Sequence, residues 1–75
     1  MDDREWRTFV TVVNEGNITK AAEKLFISQP ALSYRLRHME ENVGHSLLLR
    51  TAEGITLTPQ GEIYYEYCKR MLHDK

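Results

Sequence analysis

SQPALSYRLRHMEENVG, residues 28–44, is the stretch whose reading decides the fold. Ser28 is a residue type that caps helix N-termini. Pro30 is tolerated in a first turn, where the amides have no intrahelical partner. Leu32, Leu36, Met39 and Val43 follow at i, i+4, i+7 and i+11, the spacing of a single apolar helix stripe. Gly44 suits the left-handed residue that closes a helix. At ~100° per residue the stripe covers an arc of about 60°, while Gln29, Pro30, Ser33, Tyr34 and Arg37 occupy a separate arc of about 140°, weighted to the helix start. A polar helix face is often only solvated surface, so its meaning depends on what flanks it.

Upstream, Ile18, Ala21, Ala22 and Leu25 face one way over residues 18–25. The paired alanines are good helix formers and small enough to let another helix approach closely. Asn17 is a candidate cap for this short helix. Further back, Trp6, Phe9, Val10 and Val13 predict a helix over about 3–15, with Gly16 as its stop. Downstream, Leu47-Leu48-Leu49-Arg50, a turn at Glu53-Gly54 and the alternating Ile55-Thr56-Leu57 predict a small β-hairpin. Thr58 and Pro59 then open a last helix carrying Ile63, Tyr64, Tyr67, Cys68, Met71 and Leu72. That helix has no stop signal before Lys75, which suggests a piece of a longer chain.

The bulk properties narrow the function. Seventy-five residues make one small domain with a thin core. A composition of 41% hydrophobic and 28% charged residues argues against disorder. Cys68 is the only cysteine, cannot form an internal disulfide, and reads as a packing residue. There is no apolar run of ~18 residues and no signal-peptide core, so the expected location is the cytoplasm, with no membrane partner. The formal net charge of −1 conceals a local excess: residues 17–39 hold Lys20, Lys24, Arg35 and Arg37 against Glu23 alone, a sum of +3, leaving −4 elsewhere. A small basic patch on an acidic body fits a partner that touches one side.

A short helix, a tight turn and a longer helix describe a helix-turn-helix, whose second helix enters the DNA major groove with its N-terminal residues on base edges. Gln29 can pair bidentately with adenine, Pro30 offers apolar surface to a thymine methyl group, and Ser33 can serve either base type. Lys20, Arg37 and Arg50 suit phosphates, contacts that set affinity and register rather than sequence choice. Thr19 and Ser28, at the starts of the two helices, join this backbone set, since free helix-start amides favour phosphate. No catalytic constellation is visible. His38, His45 and His73 lack metal-ligand spacing with one another or with Cys68. Glu40-Glu41 reads as a solvated charge pair, because adjacent helix residues point ~100° apart. Neither an enzyme, a metal nor a cofactor is expected. The main alternative is a winged-helix module that binds protein through the third helix and the exposed tyrosines.

The chain resembles the N-terminal DNA-binding domain of LysR-type transcriptional regulators. The resemblance is carried by FVTVVNEGNITKAAEKLFISQPALSYRLRHMEENVGHSLLLRT followed by LTPQGE, and specifically by the alanine pair, SQPALS, the ending of the third segment and the later LTPQG. It implies a mainly α winged helix-turn-helix over residues 1–58, with the motif at about 18–37 and the wing at about 47–57. Residues 59–75 would begin a linker helix that pairs two subunits through Ile63, Tyr64, Tyr67, Cys68 and Met71. It also implies double-stranded DNA with interrupted dyad symmetry as partner, and a small-molecule effector bound only by a further domain absent from this sequence. Gln29, Pro30 and Ser33 match the family's groove-reading positions. Tyr34 stands where arginine is common and is carried over as a reader of altered preference. Arg35 stands where glutamine is common and is expected on the backbone, with Arg50 matching the wing's backbone position. The wing tip, usually basic, reads Ala52-Glu53-Gly54, so a weak wing contact is expected.

Overall fold

A computed structural model describes residues 3–73, in the order α1 (Asp3–Glu15), α2 (Ile18–Leu25), α3 (Gln29–Val43), β1 (Leu48–Thr51), β2 (Gly54–Leu57) and α4 (Pro59–His73). The helix ends fall where the local chemistry placed them. Asn17 Oδ1 accepts from the Lys20 amide at 2.9 Å and opens α2. Ser28 Oγ accepts from the Ala31 amide at 3.2 Å and opens α3, which ends at Gly44 in the left-handed region, φ 84°. Thr58 Oγ1 accepts from the Gly61 amide at 2.9 Å, capping α4, and donates to the Ser46 carbonyl at 2.6 Å.

The helices close on a core of Phe9, Val12, Ala21, Ala22, Leu32, Leu36, Met39, Leu47, Tyr64 and Cys68. Ala21 and Ala22 are buried, as close approach of a neighbouring helix requires. The two strands pair antiparallel in the register Leu48 to Leu57 and Thr51 to Gly54. Backbone amides tie this wing back to the body at two places. Ile55 N donates to the Gly16 carbonyl at 3.0 Å, and a side chain on Gly54 would collide with that same oxygen. At its base, Glu40 Oε2 accepts from the Leu47 and Leu48 amides at 2.7 and 3.1 Å. The solvated role expected for Glu40 is therefore corrected: its carboxylate accepts from two backbone donors where the wing begins.

α4 is part of this core rather than only a connector. Phe9 and Tyr64 meet edge to face with centroids 4.8 Å apart, and Cys68 is fully buried. Of the five residues expected to meet a second subunit, Tyr64 and Cys68 thus face inward. The thin core of a small domain takes Cys68 entirely and most of Tyr64, although an edge of Tyr64 still lines the groove beside Ile63. Among the described residues no helix is long and apolar enough to cross a membrane, and no group of three or more His, Cys, Asp or Glu residues could hold a metal ion.

Two tests follow from this packing. A Cβ on Gly61 would fall onto the Leu47 carbonyl oxygen, so Gly61→Ala is expected to lower stability by about 1–3 kcal/mol in thermal or urea unfolding; an unchanged transition would show that α4 is free to move off the wing. Burial pushes the Cys68 thiol from 9.0 up to about 11, against a hydrogen bond with Tyr64 that lowers it. A folded-state value above the unfolded one means that the protonated thiol's contribution is complete below about pH 9 and is lost as pH rises through about 11. A thiol reagent at about pH 8 should therefore label Cys68 only as fast as the chain unfolds, and rapid labelling of the native chain would contradict the packing.

Candidate nucleic-acid interface

Burial of Leu32, Leu36 and Met39 sets how α3 is turned about its axis. The opposite side at the helix start is open: Gln29, Pro30, Tyr34 and Arg37 are exposed and Ser33 is half-buried. The protein walls off none of the groove-reading candidates. Lys20 is exposed at the start of α2. Lys24, a turn later, is held by Glu15 at 3.4 Å.

Several expected residues are brought together by bonds between elements. Gln29 Nε2 donates to Thr19 Oγ1 at 3.0 Å, joining α3 to α2. Arg50 Nη2 donates to Ser33 Oγ at 3.3 Å, joining the wing to α3. Arg50 thus lies beside a candidate groove-reading position rather than apart from it. Tyr34 stacks on His38 with centroids 6.1 Å apart and planes at 21°, and Asn42 Nδ2 sits 3.5 Å from His38 Nδ1. Tyr34, His38 and Asn42 form one ridge at i, i+4 and i+8. Ser28, expected on the backbone, spends its oxygen on the cap but keeps a hydroxyl hydrogen to donate.

Arg35 is placed elsewhere. Two residues beyond Ser33 is ~160° around a helix, and Arg35 lines an open cleft of about 360 Å³ with Arg4, Arg7 and Lys24, between α3 and the α1–α2 side. The structure does not bring it to the face that holds Gln29 and Ser33. The wing tip of Ala52 and Glu53 is exposed, as its sequence suggested.

Sequence reasoning missed Phe26. It ends α2 in the left-handed region, φ 59° and ψ 41°, a conformation uncommon for a bulky residue, and it is 93% exposed. The signal was available, since no glycine or asparagine occupies the turn. On the far side, Ile63 is 74% exposed and, with Val43, His45, Gln60, Tyr64 and Tyr67, lines an apolar groove of about 430 Å³. Tyr67 meets Trp6 edge to face at 6.2 Å, and Met71 is half-buried.

A family model described as a bacterial regulatory helix-turn-helix protein, lysR family, matches residues 4–62. The chain is 46% identical over 66 residues to the HTH-type transcriptional regulator CysL of Bacillus subtilis, covering 88% of this chain and 22% of that protein. It is 43% identical over 72 residues to the HTH-type transcriptional regulator BenM of Acinetobacter baylyi, covering 96% of this chain and 24% of that protein. The chain thus spans about a quarter of the length of these relatives. Its fold matches the BenM DNA-binding domain in a complex with catB site 1 DNA, with a TM-score of 0.91 and 42% identity over 99% of this chain and 83% of that one. The CbnR DNA-binding domain in a DNA complex matches with a TM-score of 0.89 and 34% identity over 97% of this chain and 84% of that one.

Proposed function

We propose that this chain, which belongs to the lysR family of bacterial regulatory helix-turn-helix proteins, binds double-stranded DNA sequence-specifically with the start of α3 in the major groove. The observation that carries this reading is the open face of Gln29, Pro30, Ser33 and Tyr34 on a capped helix whose rotation the core fixes. The fold it shares with two domains solved in DNA complexes supports it. Gln29, Pro30, Ser33 and Tyr34 read bases. Thr19, Lys20, Ser28, Arg37 and Arg50 meet the backbone. The part played by this chain is recognition rather than catalysis, in the cytoplasm, and the relatives are transcriptional regulators.

Ile63, Tyr67 and Met71 supply the surface on which a second copy pairs, so that the DNA site has two related halves. A small-molecule effector, as the family resemblance implies, would act through a further domain.

Salt separates this reading from a protein-binding module. If a pair of chains neutralises ~6 phosphates, the logarithm of affinity falls against the logarithm of salt with a slope of about −5; binding indifferent to salt would reject the duplex as partner. Within that frame Gln29→Ala is expected to cost about 1–3 kcal/mol on a duplex selected from random DNA and to relax choice at one base position. Equal losses on selected and random duplexes would remove Gln29 from base reading. Ile63→Glu should change the unfolding free energy of the single chain by no more than about 0.5 kcal/mol, because the side chain is exposed. The same change should weaken self-association in sedimentation, and an unchanged association would move the pairing surface elsewhere.

A further inference from the structure

We infer that Thr19 and Arg50 are positioning residues that hold the base readers Gln29 and Ser33, tying each base contact to a backbone contact. This builds on the duplex-binding reading above and concerns how the readers are aimed.

Gln29 sits exposed at the first position of α3, where a glutamine left to itself samples several rotamers. Here its Nε2 donates to Thr19 Oγ1 at 3.0 Å. The amide has two N–H donors and one carbonyl acceptor. One donor is used by Thr19, which leaves one N–H and the oxygen, the donor–acceptor pair that bidentate adenine recognition requires. Threonine is β-branched, so in a helix its χ1 is restricted to two rotamers and Oγ1 has few positions from which to hold that amide. Its hydroxyl accepts from Gln29 and keeps its own hydrogen, free to donate to a phosphate oxygen. A continuous line then runs from phosphate through Thr19 and Gln29 to the base, in which each hydrogen bond polarises the next.

The second pair follows the same logic from the other neighbouring element. Arg50 Nη2 donates to Ser33 Oγ at 3.3 Å. Ser33, having accepted, is turned to donate its hydrogen to a base acceptor, and the guanidinium retains further N–H groups for the backbone. Both braces stand on fixed ground. Thr19 follows the Asn17 cap, and Arg50 lies on the strand whose base Glu40 holds and opposite Ile55, which is bonded to Gly16.

A residue that only touched phosphate would weaken binding to every sequence alike. A positioning residue acts through its reader, and a double-mutant cycle detects this. Thr19→Val, Gln29→Ala and the double variant would be titrated against a duplex selected from random DNA and against a random duplex. Thr19→Val is expected to lose about tenfold on the selected duplex and only about twofold on the random one, with Thr19→Ser restoring most of the loss. In the Gln29→Ala background, Thr19→Val should cost no more on the selected duplex than on the random one. Arg50→Lys, which keeps the charge but not the fork, should relax base choice at the Ser33 position, so that its loss on the selected duplex exceeds its loss on the random one. Thermal unfolding of each variant, with Thr19→Ala as a second removal of the hydroxyl, separates lost aiming from lost fold. Additive losses, or equal losses on the two duplexes, would overturn the inference while wild-type binding stands. Absence of salt-dependent duplex binding by the wild-type chain would overturn the duplex reading and this inference with it.

Discussion

The burial of one side of α3 is the constraint on which everything else depends. A straight helix can turn about its own axis, and a turn of ~100° would exchange each residue's bearing for that of its neighbour. Leu32, Leu36 and Met39 prevent this because they have a place to go, against Ala21 and Ala22 of α2 and Phe9 and Val12 of α1. Burying side chains of this size is worth ~1.5–3 kcal/mol each relative to exposure, so a rotation that exposed them would strain a domain this small. The orientation of Gln29, Ser33 and Tyr34 is therefore a consequence of the core. Their aim is set before any partner arrives, and the braces from Thr19 and Arg50 refine it.

The wing shows the same economy. Its tip carries Glu53 rather than a cation, which suits it poorly to grip a polyanion. Its base, by contrast, is tightly held: Glu40 receives two amides, and Ile55 is bonded to Gly16. Arg50 is set between these attachments and leans on Ser33. In this chain the hairpin is better built to support α3 than to reach outward by itself. The acidic residues fit that division. Glu40 is occupied at the wing base, and Glu15 and Asp3 pair with Lys24 and Arg7. A net charge of −1 is compatible with a basic reading face because several carboxylates are engaged elsewhere.

Much of this was legible in the sequence because helix ends are local events. Asn17, Ser28, Gly44, Thr58 and Pro59 act on amides or carbonyls within a few residues, and the apolar stripes repeat at helical spacing. The parts that were not legible join residues far apart along the chain. Glu40 looked solvated beside Glu41, and nothing near it announces the amides seven and eight residues on. Gln29 with Thr19 and Arg50 with Ser33 are separated by ten and seventeen positions. Arg35 was grouped with the backbone contacts through the family resemblance, and its angle on the helix carries it to another side than Gln29 and Ser33, beside Arg4, Arg7 and Lys24. Tyr64 and Cys68 were grouped with Ile63 and Tyr67 because an apolar helix shows several faces in sequence, and only tertiary packing reveals which one the domain's own core claims.

That division of α4 has a further consequence. Its inner face lies in the same core that fixes α3, through Tyr64 on Phe9 and through the fully buried Cys68. Its outer face, with Ile63 and Tyr67, shares an apolar groove with Val43, the last residue of α3. In the pairing proposed above, a second copy on that groove would press on the helix that carries the base readers as well as on the pairing helix. Close-packed interiors transmit such displacements rather than absorb them. The distance between two reading helices would then be set by stiff side-chain contacts at each step from groove to core to α3, and the spacing of the two DNA half-sites becomes a property of the packing around Tyr64 as much as of the pairing surface itself.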